Sequence, residues 1–190
     1  MIPISGHLFW DIAALYNEVL NGLKAAADEG IVPDSIGIDT WGCDFAFFGD
    51  DGQLLGMPYC YRDGHTAGAQ AEFFKRMPSE EVYSRTGIQF MDFNSLFQLD
   101  TLRRNSCVAL EAASKVLFIP DALIYMLTGK AVCEYTVAST SQMLNPVTGD
   151  LDEKILETLG LPREKFGELV HPGTVVGQLT PSVQAYTGLP

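Results

Sequence analysis

Apolar residues recur at three- and four-residue steps from Ile12 through Leu15, Tyr16, Val19, Leu20 and Leu23, the spacing of one face of an amphipathic helix. Asp11 stands at the N-cap position and Gly30 lies past the end, so a helix is predicted to about Asp28. Pro33-Asp34 then leads into Ser35-Ile36-Gly37-Ile38-Asp39, whose Ile36 to Asp39 reads as a short apolar strand, and Phe45-Ala46-Phe47-Phe48 reads as a second. A polar turn, Thr40-Trp41-Gly42-Cys43-Asp44, separates them. Gly49-Asp50-Asp51-Gly52 closes the second strand, and Gln53-Leu54-Leu55 behind it predicts a hairpin from Phe45 to Leu55. A helix followed by a wholly apolar strand is the pattern of an α/β layer, in which the strand is covered on both faces.

Further along, Thr66 is placed to cap a helix running to Met77, and Ser79 to cap a short one stopped by Gly87. Asn94 is the cap expected for a helix carrying Leu96, Leu99 and Leu102, with another helical segment from Leu110 to Ser114. Val116 to Ile119 predicts a buried strand, and Pro120 opens a helix from Asp121 that Gly129 ends. Asp152 to Leu159 and Ser182 to Tyr186 read as helices, and His171 to Gly177 as a turn plus a strand. Met1 to Trp10 and Thr136 to Ser141 carry no clear period. No internal repeat, low-complexity run or long linker divides the chain.

With 190 residues, 47% of them hydrophobic, the chain is long enough to bury a real core. No apolar run approaches the roughly 20 residues that span a bilayer, and no basic segment leads into an apolar one near Met1. A soluble cytoplasmic protein is the expectation. A balance of 12 basic against 24 acidic residues, net −12, argues against nucleic acid or an anionic membrane as partner. It leaves a local anion site, and so a phosphorylated substrate, open. Cys43, Cys60, Cys107 and Cys133 show no Cys-x-x-Cys spacing and no neighbouring histidine, so reduced, mostly buried thiols are expected rather than zinc or disulfides.

The chemistry-bearing residues gather around the Trp41-Gly42 turn. Gly42 lets a backbone or a ligand come close, and Trp41 offers a broad apolar face with one N–H donor, as a small-molecule pocket would need and as a hairpin with a core tryptophan would also show. Asp39, Asp44 and Asp63 permit a weak glycosidase reading, two carboxyls facing one sugar. Arg62-Asp63 offers a fork of donors beside an acceptor for sugar hydroxyls, or else a structural ion pair. His65 is an isolated acid–base candidate; Asn94, Gln98 and the hydroxyls from Thr136 to Ser141 are candidate polyol ligands or helix caps. No glycine-rich phosphate loop and no Gly-x-Gly-x-x-Gly follows a strand.

In order along the chain, Ser35-Ile36-Gly37-Ile38-Asp39-Thr40-Trp41-Gly42, Asp44-Phe45, Tyr61-Arg62-Asp63, Tyr83 to Phe90, Asn94 with Gln98-Leu99, Pro120-Asp121, Leu127-Thr128-Gly129, Glu134-Tyr135-Thr136, Ala138-Ser139-Thr140 and His171-Pro172-Gly173-Thr174 resemble the rhamnulokinase branch of the FGGY-type carbohydrate kinases. The resemblance implies ATP-dependent phosphorylation of L-rhamnulose to L-rhamnulose 1-phosphate, with magnesium, by a protein of two actin-like, ribonuclease-H-like domains with a mixed sheet flanked by helices. It implies sugar binding by Gly42 and its neighbour Trp41, and a place near the sugar for Arg62 and Asp63. The family's phosphate loop would lie upstream of Met1 and its general base downstream of Pro190. Residues 1–190 are therefore expected to be part of the N-terminal, sugar-binding domain, without the ATP-binding domain, without a catalytic residue of their own and without bound ATP or Mg. Such a stretch is expected to be inactive alone, with one edge of the Ile36 to Asp39 strand unpaired, and to be marginally stable or prone to swap or aggregate. A kinase of the same family for another ketose, or a non-catalytic sugar-binding module, are the alternatives.

Overall fold

A computed structural model describes residues 1–190. The chain opens on a hairpin that periodicity did not announce, β1 (Ile2–Ile4) against β2 (His7–Phe9), paired Ile2 to Phe9 and Ile4 to His7. Ser5 and Gly6 both take positive φ, 51° and 83°, which gives a two-residue connection the twist of the flanking strands. Helix α1 spans Ile12–Asp28 as the apolar stripe predicts, with the Asp11 carboxylate accepting from Ala14 N–H. Only Ile12 of that stripe is fully buried. Strand β3 (Phe45–Phe48) follows, then α2 (Ala69–Phe73), α3 (Ser79–Thr86), α4 (Ser95–Arg104), α5 (Val108–Ala112), β4 (Lys115–Phe118) and α6 (Ile119–Thr128). The remainder is β5 (Val132–Glu134), α7 (Tyr135–Ser139), β6 (Leu144–Asn145), β7 (Asp150–Leu151), α8 (Glu153–Leu159), β8 (Glu168–Val170) and α9 (Pro181–Thr187). No helix is long and apolar enough to cross a membrane.

Strand β3 is the centre. Its four residues are all buried; β4 pairs antiparallel along one edge, and the predicted hairpin return lies along the other, with Leu55 N–H donating to Phe47 O at 2.8 Å and Gly49 N–H to Gln53 O at 2.9 Å. Side chains alternate across the pair. Phe45, Phe47, Val116 and Phe118 enter the larger core with Phe73, Phe97 and Leu99, while Ala46, Phe48, Leu117 and Ile119 face a smaller one closed by Ile12, Ala122 and Leu123. Helix α4 is buried from Ser95 to Leu102, and the one carboxylate on it that is lost to solvent, Asp100, is met by Arg76 and Arg104. Elsewhere β5 runs parallel to β8 and β6 antiparallel to β7, so parallel and antiparallel pairings both occur, each as a two-stranded piece.

Several predicted details change. Ile36 to Asp39 belongs to no sheet, and residues 32–41 make no backbone hydrogen bond; a segment without a strand partner gains nothing from its β-propensity. Both of its edges are open, where one was expected. The strand predicted within His171 to Gly177 is likewise absent, β8 having ended at Val170. Gly68, at φ 76°, precedes α2 in place of a Thr66 cap, and Ser79 is the first helical residue rather than the cap. Thr136 to Ser139 is helical, capped by the Glu134 carboxylate on Thr136 N–H and Val137 N–H.

Hydrogen exchange should show the division directly. Amides of 34–41 and 175–179, which lack backbone partners, are expected to exchange at near open-chain rates while Phe45–Phe48 and Val116–Phe118 exchange last; protection of 34–41 equal to that of β3 would contradict the fold described.

Candidate sugar-binding site around the Trp41–Gly42 turn

The extended run 33–40 and the run 171–179 flank a cleft of about 910 Å³. Trp41 and Gly42 line it from one side, and Thr136, Thr140, Asp121 and Glu134 from the α6–α7 side. Gly42 is required there for a measurable reason: an ideal Cβ at this position would sit 2.8 Å from Thr140 Oγ1 and 3.3 Å from its Cβ. Thr140 cannot easily yield, because its hydroxyl donates to Val137 O at 2.8 Å.

The turn after Gly42 is strained and clamped. Cys43 has φ 74°, and Asp44 N–H donates back to Gly42 O at 2.9 Å, a three-residue turn that a residue with a Cβ adopts at a cost of about 1–3 kcal/mol. Helix α4 holds it: Ser95 Oγ donates to Cys43 O at 2.5 Å. Burial, reinforced by the charge of Asp44, pushes the Cys43 thiol up to about 11 against a hydrogen bond to Thr140, so it is no nucleophile at neutral pH.

Asp44 is the hub. Its carboxylate is wholly buried and accepts four hydrogen bonds, Trp10 Nε1 at 2.6 Å, Trp41 Nε1 at 2.9 Å and Tyr61 N at 3.0 Å on Oδ2, and Gln98 Nε2 at 2.9 Å on Oδ1. Burial pushes the carboxyl above its ordinary value, and those four donors pull it part of the way back. Every partner is a donor, so a proton on either oxygen would find no acceptor, and the arrangement requires the ionised form. Trp10 and Trp41 stack with centroids 3.9 Å apart, and Tyr61 continues the row 6.5 Å from Trp10. Arg62, exposed, lies over the Tyr61 ring and donates from Nε to its hydroxyl at 3.1 Å.

Of the four residues singled out from the sequence, Trp41 and Gly42 line the cleft and Arg62 does not; Trp41 binds the Asp44 carboxylate, and Arg62 follows Tyr61, whose N–H binds it too. Asp63, also singled out from the sequence, lies inside the fold. Its side chain is buried, accepting from His7 Nδ1, Leu8 N, His65 N and His65 Nδ1 at 2.7–3.0 Å; burial raises the carboxyl, and these bonds with the His65 charge more than offset it, leaving it below the ordinary value. It ties the first hairpin to the Tyr61–Arg62 loop, and no Arg62–Asp63 ion pair forms. The glycosidase reading fails for the same reason, since Asp44 and Asp63 are both consumed by internal donors while Asp39 is exposed. Gln98 and Asn94 are committed too, Gln98 to Asp44 and Asn94 to Gln89 O and Gln142 Oε1. Trp10 was missed; its one sequence signal is that it is the only other tryptophan.

Superposition on solved structures gives the fold its class. The whole chain matches 40% of a xylulose kinase from Rhodospirillum rubrum with a TM-score of 0.88 at 22% identity, and 39% of a ligand-bound xylulose kinase from Lactobacillus acidophilus with a TM-score of 0.85 at 19% identity, the actin-like fold of sugar kinases. The sequence profile described as "FGGY family of carbohydrate kinases, N-terminal domain" matches residues 1–190, and the chain belongs to that family. It is 58% identical over 189 residues to a protein named rhamnulokinase from Bacteroides thetaiotaomicron, covering 100% of this chain and 39% of that protein. To a protein of the same name from Pectobacterium carotovorum it is 45% identical over 172 residues, covering 90% of this chain and 35% of the other.

Asp121, on the cleft wall, supplies a pH test. Burial pushes its carboxyl up to about 7, with the Glu134 N–H bond lowering it and the Glu134 charge raising it. The fold therefore favours the protonated form; the stabilisation is complete below the open-chain value and is lost as pH rises through about 7. The unfolding free energy from denaturant titration should fall between about pH 5.5 and about pH 7, by about 2 kcal/mol, and then level off. Asp121→Asn should flatten that decline, and an unchanged slope in the variant would assign it elsewhere.

Proposed function

We propose that residues 1–190 form the sugar-recognising part of the N-terminal domain of a kinase that transfers the ATP γ-phosphate to L-rhamnulose, giving L-rhamnulose 1-phosphate. The observation that carries this reading is the 58% identity to a rhamnulokinase over the full chain, which includes the Trp41–Gly42 turn on the cleft wall. Sugar specificity in this reading comes from the Trp41 face, the close approach Gly42 permits, and the guanidinium of Arg62, whose donors match sugar hydroxyls. Asp63 contributes by holding the Arg62 loop.

Phosphoryl transfer needs a phosphate cradle, a metal and a group to orient the nucleophile. No three His, Cys, Asp or Glu side chains converge as a metal-ion site in this chain, and it carries no glycine-rich phosphate loop; in this proposal residues 1–190 act on the sugar. The ATP-binding domain and the general base belong, in this proposal, to the part of the protein outside residues 1–190, consistent with relatives of which this chain spans 39% and 35%.

Titration of the chain with L-rhamnulose and D-xylulose is expected to favour L-rhamnulose by at least about tenfold, roughly 1.4 kcal/mol; preference for D-xylulose would transfer the assignment to another ketose. The chain alone is expected to release no ADP from ATP and L-rhamnulose, whereas replacing the matched 189 residues of the Bacteroides thetaiotaomicron protein with it should give a chimera that does. Sugar binding together with a folded but silent chimera would favour a non-catalytic sugar-binding module.

A further inference from the structure

Trp10 stands outside the lining of the cleft, and Trp41 is part of it. The two are nevertheless one unit. Their rings stack at 3.9 Å with an angle of 31°, and both indole N–H groups end on the same oxygen of Asp44, at 2.6 and 2.9 Å. An indole has a single donor, so the hydrogen bond fixes one point of the Trp41 ring and the stack fixes its plane. Swinging Trp41 towards or away from the cleft would break a bond to a buried carboxylate and uncover the ring it covers.

Trp10 is itself held from two directions. Its backbone N–H donates to Pro58 O at 2.8 Å, and the hairpin just before it is tied to the Asp63 carboxylate through His7 and Leu8. The third donor on the same Asp44 oxygen is Tyr61 N–H at 3.0 Å, the residue before Arg62. One carboxylate oxygen therefore registers the two loops against each other, with the Trp10 ring as the wall behind Trp41.

We propose that Trp10 is a positioning residue for sugar specificity: stacked behind Trp41 and sharing its Asp44 oxygen, it sets the angle at which the Trp41 face meets the sugar. This rests on the reading of the Trp41–Gly42 turn as the sugar-contacting loop. L-Rhamnulose carries a terminal methyl group that D-xylulose lacks, and a fixed apolar ring discriminates on that methyl where a loose one does not. One such group is worth between about 10-fold and about 200-fold in selectivity when the wall that meets it is rigid.

The test is the ratio of dissociation constants for D-xylulose and L-rhamnulose, measured by titration of the 190-residue chain alongside its unfolding midpoint. Trp10→Phe keeps a stacking ring and removes the donor; it should lower the ratio at least about fivefold, chiefly by weakening L-rhamnulose. Asp44→Asn, which keeps one acceptor oxygen and removes the charge, should lower it in the same direction, and decides the matter where Trp10→Phe does not fold. Asp152→Ala, which removes the N-cap of α8 at a residue outside the cleft lining, should lower the midpoint with the ratio unchanged. A ratio unaltered in Trp10→Phe and Asp44→Asn, with both sugars weakened equally, would reduce Trp10 to a structural role and leave the proposed function standing. Failure of the unsubstituted chain to bind either sugar would overturn that function and this inference together.

Discussion

A carboxylate withdrawn from water needs hydrogen-bond donors on both of its oxygens, and leaving it short costs several kcal/mol. Asp44 meets that demand with two indoles, one amide and one backbone N–H, and each donor comes from a different stretch of chain. Trp10 leaves the first hairpin, Trp41 the turn before β3, Tyr61 the loop after the hairpin return, and Gln98 the buried helix α4. Satisfying one buried charge therefore fixes the relative placement of four segments of the chain. The strained Cys43 turn is tolerated because α4 grips its carbonyl and because Asp44, one residue later, is held on all sides.

This constraint explains how a site can be built from loops without being loose. Trp41, Gly42 and Arg62 lie outside any helix or strand, where backbone mobility is the usual outcome. Here the Trp41 ring is tied by its N–H, the Gly42 backbone is packed against Thr140, and the Arg62 loop is anchored at Tyr61 N–H and by the Asp63 acceptor set. The segments the network does not reach, 34–40 and 175–179, are the ones without backbone partners. The cleft is thus rigid on the Trp41 side and open along its extended walls.

Much of this was legible before the structure, and the divide is physical. Local signals were read correctly: the Asp11 cap and apolar stripe of α1, Pro120 and Gly129 at the ends of α6, and the helix ending at Leu159. Signals that depend on a distant partner were not. Ile36 to Asp39 has the composition of a strand but pairs with nothing, and the first hairpin rests on two residues of positive φ that carry no periodicity. Gly42 and Trp41 stood out by residue type, and a resemblance to sugar kinases gave them an expected role; the family match at residues 1–190 speaks for the family alone. That Asp44 is an anchor rather than an acid, and that Trp10 belongs beside it, depends on contacts 34 and 54 positions apart, which no local pattern encodes.

The charge and the bonding of Asp44 are directly visible through the chain's two tryptophans. In an indole-resolved proton–nitrogen spectrum, both N–H resonances should lie downfield of free indole and exchange slowly with water, and both should move together in Asp44→Asn while the backbone spectrum stays dispersed. Indole protons that exchange as in a free side chain, or that ignore the substitution, would show that Asp44 does not hold the two rings.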